Sequence, residues 1–125
     1  GIETDRPSLV YSLIEGISFG LYDNYQALSK TGIKLDNLFV IGGGSKNEYW
    51  IKLLASILDR DLAITEASDA MAAYGAARLA FLGFNNLHHS EVLKPPTVKK
   101  IIEKDSNLNS LLKDRFNDWK NYYVR

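Results

Sequence analysis

The sequence predicts a helix-rich α/β fold. Three observations carry that expectation: a long amphipathic stretch near the start, a short apolar run stopped by three consecutive glycines, and a return to helical spacing directly after them. From Pro7 to about Thr31, Val10, Leu13, Ile14, Ile17, Leu21, Tyr25 and Leu28 recur at three- and four-residue steps, which places them on one face of a helix. Pro7 suits a first helical position, and Gly32 stands where a left-handed residue closes the last turn. Gly16 and Gly20, one turn apart, read as a notch against which another backbone packs.

Leu38, Phe39, Val40 and Ile41 predict a buried parallel strand over 37 to 41, ended by Gly42, Gly43 and Gly44. Ser45 and Glu48 have capping-box spacing, and Tyr49, Trp50, Leu53, Leu54, Ile57 and Leu58 give the apolar face of a helix over 46 to 58. A second parallel strand follows over 61 to 65. Ser68 then caps a helix over 69 to 82, dense in alanine and suited to close packing, which Gly83 ends. Periodicity lapses between Phe84 and Pro96 in a surface connection, and 98 to 103 reads as an extended edge segment. A last helix over 107 to 122 carries Leu108, Leu111, Leu112, Phe116, Trp119 and Tyr123 on its apolar side. The expected organisation is one segment over 1–125, with a core over 1–83, a connection over 84–106 and a terminal helix over 107–125.

With 125 residues, 46% apolar and 24% charged, the chain suits one globular domain. Fifteen basic side chains balance fifteen acidic ones without a block of either sign, so the footprint of a nucleic-acid binder is missing. The absence of cysteine removes disulfides, thiolate metal sites and a cysteine nucleophile. No apolar run approaches the roughly twenty residues of a membrane-spanning helix. These readings give a cytoplasmic protein without nucleic-acid or membrane partners. Gly1 in place of an initiating methionine fits a piece of a longer protein.

The glycine turn is the strongest chemical signal, because a strand–glycine–helix junction lets a ligand approach the backbone at a helix N-terminus. A tight turn with no ligand explains the spacing equally well. The pattern is neither Gly-x-Gly-x-x-Gly nor a Walker A loop, since Lys46 is out of frame. His88 and His89 are adjacent and point apart on most backbones, so a solvated loop outweighs a shared metal. Trp50 and Trp119 fall on apolar faces and read as core; Tyr122 and Tyr123 cover a partner surface or pack the terminal helix. Glu66, Asp69, Asp36 and Asp59 sit at element ends, where capping and dipole compensation are their ordinary roles. No catalytic or metal-ligating constellation stands out.

The run Ile41-Gly42-Gly43-Gly44-Ser45-Lys46-Asn47-Glu48-Tyr49-Trp50 resembles the adenosine motif of FGGY carbohydrate kinases, in the form carried by the xylulose kinases among them. Upstream, Leu13-Ile14-Glu15-Gly16-Ile17-Ser18-Phe19-Gly20-Leu21 resembles the helix that precedes that motif. Downstream, Tyr74-Gly75-Ala76-Ala77-Arg78-Leu79-Ala80 resembles the family's small-residue helix. The three occur in the family's order over about residues 1 to 83, and the tail is similar only loosely. Lys52, Ser56 and Tyr74 depart from the family's glutamine, aspartate and leucine.

The resemblance implies part of an actin-like (ribonuclease H-like) ATPase domain with two or three short strands. It implies a parent enzyme whose two domains close on ATP, magnesium and a sugar, turning D-xylulose into D-xylulose 5-phosphate. Under it Gly42, Gly43 and Gly44 face the adenosine and α-phosphate, Asn47 contacts adenine, and Ser45 caps the helix. The catalytic aspartate, the phosphate loops and nearly all sugar contacts would lie upstream. No catalytic residue or metal ligand is then expected in this segment, and on its own it would be inactive. Two alternatives stay open: a structural or interaction module with the turn empty, or a related kinase for gluconate, ribulose or glycerol. A sheet this small leaves an unpaired edge, with self-association as its expected consequence.

Overall fold

The computed structural model describes residues 5–123, without the side chain of Tyr123; Gly1 and that side chain, which figure in the expectations above, lie outside the described part. The first helix, α1, spans Arg6–Ser29. Asp5 fixes its start, its Oδ1 accepting from Ser8 N at 2.9 Å, with Pro7 in the first turn where its missing N–H is no loss. Gly32 is left-handed as expected, with φ 81, but stands beyond the helix end at Ser29.

Helix α2 (Glu48–Leu58) is the centre of the molecule and is buried on two sides. Towards the sheet, Ile51, Ala55 and Leu58 pack with Leu62, Ile64 and Ile102. Towards the helices, Leu53 and Ile57 pack with Phe19, Leu112 and Phe116. The sheet has the order β1-β2-β3, from β1 (Phe39–Val40), β2 (Leu62–Thr65) and β3 (Val98–Ile102). β1 runs parallel to β2, with Phe39 opposite Ala63. β3 closes the other side antiparallel, Leu62 opposite Ile102, with a register irregularity between Ile64 and Thr65. The strand expected to be buried over 37 to 41 is paired over two residues only, and Phe39 and Ile41 are exposed because β1 lies at the sheet edge with β2 as its single neighbour.

Several local expectations are corrected. The aliphatic stripe of α1 faces outward: Val10, Leu13, Ile17, Leu21 and Leu28 are all exposed. The helix instead buries Glu15, Ser18 and Phe19 on its other side. The cause is what α5 (Ser106–Tyr123) and α2 offer. Phe116 meets the ring of Phe19 edge-on at 5.7 Å and that of Tyr22 at 4.9 Å, and Arg115 Nη2 donates to Glu15 Oε2 at 2.7 Å. The notch expected at Gly16 and Gly20 is open, since a Cβ at either would meet nothing within 4 Å.

Ser68 does not cap a helix; it begins a short 3-10 turn, Ser68–Ala70, and α3 follows as Met71–Asn85. The close packing expected for α3 is not made, for none of its residues is buried. Gly83 continues the helix, which ends at the left-handed Asn86, φ 50. α4 (His89–Val92) follows, with His88 as its cap. The His88 and His89 rings lie 4.0 Å apart, tilted against each other. Asp105 caps α5, its Oδ1 accepting from Asn107 N and Leu108 N at 2.9 and 3.1 Å. Ser56 anchors that cap: its Oγ accepts from Asp105 N at 3.1 Å, and its carbonyl accepts from Asn109 Nδ2 at 2.6 Å. Lys52 Nζ donates to the Glu103 carbonyl at 2.7 Å, so two positions that depart from the FGGY pattern both tie α2 to the tail.

Candidate functional site

Parallel strands with helical returns gather ligands at their carboxyl ends, and in this chain that end is the turn from Gly42 to Asn47. The three glycines differ in the reason for lacking a side chain. Gly42 has φ 87, a backbone conformation that disfavours any Cβ. At Gly44 a Cβ would stand 2.5 Å from Cζ3 of Trp50, so the indole occupies the space a side chain would need. Gly43 has neither constraint: its backbone is ordinary and a Cβ would meet nothing within 4 Å. The space beside its Cα is therefore open, as it is at Gly16, Gly20, Gly75 and Gly83.

The turn is held from three directions. Gly42 N donates to the Ser68 carbonyl at 2.6 Å, and the Ser45 and Ser68 hydroxyls are 2.7 Å apart. Lys46 Nζ and Asp69 Oδ2 pair at 2.9 Å, linking the ends of β1 and β2. Lys46 holds the Asp69 carboxyl below its ordinary range, chiefly through that hydrogen bond and then by its charge. From below, Trp50 Nε1 donates to Ser18 Oγ at 2.9 Å and thereby fixes the indole to α1.

Ser45 does not cap α2. Its Oγ donates to the Gly42 carbonyl at 2.7 Å, and the chain makes a 3-10 turn over Gly43–Lys46 before the helix starts. Asn47 takes the cap, its Oδ1 accepting from Trp50 N at 3.1 Å. The side-chain amide thus has its acceptor end committed to structure, while its Nδ2 is the donor end. Asn47 and Tyr49 border a hollow of about 640 Å³ closed on the other side by Val10, Tyr11 and Ile14 of α1. A smaller hollow of about 290 Å³ lies on the β3 side of the turn, bordered by Lys46, Thr65, Ser68 and Lys99. Thr65 Oγ1 is buried there without a hydrogen-bond partner.

The structure therefore brings Gly42, Gly43, Gly44 and Asn47 together in one braced turn. The residues that brace it, Ser18, Ser68 and Asp69, carry no local sequence signal for that role. Among the described residues no group of three or more His, Asp or Glu is placed to hold a metal ion. No helix among them is long and apolar enough to cross a membrane.

Comparison with known proteins identifies the family in which this strand–glycine–helix arrangement occurs. The C-terminal domain model of the FGGY family of carbohydrate kinases matches residues 1–84, and the chain belongs to that family. Xylulose kinase from Escherichia coli strain K12 is 36% identical over 77 residues, 62% of this chain and 16% of that protein. L-fuculokinase from Escherichia coli O157:H7 is 31% identical over 91 residues, 72% of this chain and 19% of that protein. The crystal structure of a xylulose kinase from Brucella ovis superposes with a TM-score of 0.85 at 32% identity, covering 98% of this chain and 25% of that one. The chain thus spans a quarter or less of the length of these relatives. With these neighbours, the helix-rich α/β arrangement is part of an actin-like fold.

Proposed function

We propose that the chain is the nucleotide-side part of an ATP-dependent sugar kinase acting on D-xylulose, and that the turn Gly42-Gly43-Gly44 with Asn47 receives the adenosine end of ATP. The observation that carries this reading is the open space at Gly43. A glycine with ordinary backbone and no crowding neighbour, braced at the carboxyl end of a strand, is accounted for by a ligand that approaches the main chain there. Asn47 has a donor left for a base edge after capping α2, and Gly44 is already required by Trp50.

Phosphoryl transfer needs the nucleophile, the γ-phosphate and its magnesium held together. The residues present serve recognition only, so in a full-length enzyme the general base, the metal and most of the sugar would be held outside this segment. The isolated chain then binds nucleotide weakly and transfers no phosphate.

Xylulose is favoured by the relatives of this chain, and an L-fuculose kinase is the second reading, because an L-fuculokinase matches over nearly three quarters of the chain. Gluconate, ribulose and glycerol belong in the same assay, since an adenosine-side segment reports the shared cofactor better than the sugar. Coupled measurement of ADP release by the full-length enzyme against this panel decides between them. A preference for xylulose of tenfold or more in kcat/KM, roughly 1.4 kcal/mol of discrimination, is expected; a comparable preference for another sugar contradicts the assignment.

A further inference from the structure

Trp50 meets the glycine turn twice. Its six-membered ring lies against Gly44, where a Cβ would stand 2.5 Å from Cζ3 and 3.3 Å from Cε3. Its backbone N–H donates to Asn47 Oδ1 at 3.1 Å. Between these contacts the 3-10 turn Gly43–Lys46 is closed by Asn47 N, which donates to the Gly44 carbonyl at 3.1 Å. The main chain at Gly43 and Gly44 and the side-chain amide of Asn47 are therefore both placed relative to Trp50.

The half-buried indole turns about two side-chain torsions, and rotation about the second would drive the ring into Gly44 or withdraw it from the turn. What fixes that torsion comes from α1. Ser18 is fully buried, and its hydroxyl donates to the Ile14 carbonyl at 2.7 Å. With its proton so committed, Ser18 Oγ is left as an acceptor, and Trp50 Nε1 donates to it at 2.9 Å.

We propose that Trp50, oriented by Ser18, is a positioning residue for the nucleotide: it sets the spacing between the bare main chain at Gly43 and the Asn47 amide, so that one ligand meets both. Ser18 has no exposed surface and acts only through the indole. The proposal rests on the nucleotide reading of the turn.

Two substitutions break the link at either end. Ser18→Ala removes the acceptor, and Trp50→Phe removes the N–H while keeping an aromatic ring beside Gly44. Ser56→Ala is the control, since Ser56 is an equally buried serine whose hydroxyl holds the α5 cap rather than the turn. ATP affinity of the 125-residue chain is measured for each by NMR titration, together with urea stability. The Gly43 and Gly44 amides and the Asn47 side-chain NH₂ are also compared before nucleotide is added. In Ser18→Ala and Trp50→Phe these three signals should move in the nucleotide-free protein, and ATP should bind roughly fivefold more weakly. Ser56→Ala should lower the urea midpoint and leave ATP affinity within about twofold of the unsubstituted chain. Unchanged affinity in Ser18→Ala and Trp50→Phe overturns the proposal alone, as does an equal loss in Ser56→Ala. No saturable shift in the unsubstituted chain overturns the nucleotide reading and this proposal together.

Discussion

Trp50 donates its indole N–H to Ser18 Oγ at 2.9 Å, and the same ring occupies the space a side chain at Gly44 would need. One residue of α2 therefore joins α1 to the glycine turn, and disturbing either contact should be felt at the other. Gly44→Ala must displace the indole, at a cost of about 1–3 kcal/mol. In a Trp50→Leu background that penalty should largely vanish, because the six-membered ring it collides with is gone. Urea denaturation of the four variants measures the coupling. Additive losses would mean that the ring yields without resistance.

The two sides of α1 should respond oppositely to truncation. Phe19 is 2% exposed and packs on Phe116 and Trp119, so Phe19→Ala should cost about 3–5 kcal/mol. Leu13, 65% exposed on the other side, should lose no more than about 0.5 kcal/mol as Leu13→Ala. Equal losses in the isolated chain would show the helix rotated from the arrangement described.

That rotation marks where sequence legibility stopped. The spacing of Val10, Leu13, Ile17 and Leu21 names a stripe, but periodicity does not say which side of a helix finds a partner within the same chain. The side that did carries Glu15 and Ser18, and their partners Arg115 and Trp50 are distant in sequence. The glycine turn was legible because a strand stopped by glycines before a helical pattern is a local signal. Its cap was not: Ser45 and Asn47 are both good N-caps, and the choice fell to Asn47 once the Ser45 hydroxyl turned to Gly42 and Ser68. The anchoring of α5 by Ser56 and Lys52 had no local signal, for the groups they bind lie about fifty residues away.

Asn47 serves both structure and the proposed recognition, and one substitution separates them. Asn47→Thr keeps a side-chain oxygen for Trp50 N and should leave stability within about 0.5 kcal/mol, whereas Asn47→Ala should lose about 1 kcal/mol. Both remove the amide NH₂, so both should weaken ATP by roughly fivefold, the worth of one hydrogen bond of about 1 kcal/mol. Thermal denaturation with calorimetric titration reads the two effects; undiminished ATP binding by Asn47→Thr would remove the amide from recognition.

The Lys46–Asp69 pair predicts a specific pH response. Because the Asp69 carboxyl titrates below its ordinary value of 3.8, its contribution to stability is fully present at neutral pH and is lost as the pH falls through that lowered value. In Lys46→Ala the midpoint should return towards 3.8, as read from carboxyl carbon shifts by NMR. An unchanged midpoint would mean that the bridge between the two turns does not persist in solution.

The most direct test of the nucleotide assignment is an NMR titration of the 125-residue chain with ATP and ADP up to millimolar concentration. The account predicts saturable shifts centred on the amides of Gly42 and Gly43 and on the Asn47 side chain, abolished in Gly43→Val while the rest of the spectrum stays folded. A folded spectrum with no shift at these positions, or shifts that survive in Gly43→Val, would contradict it.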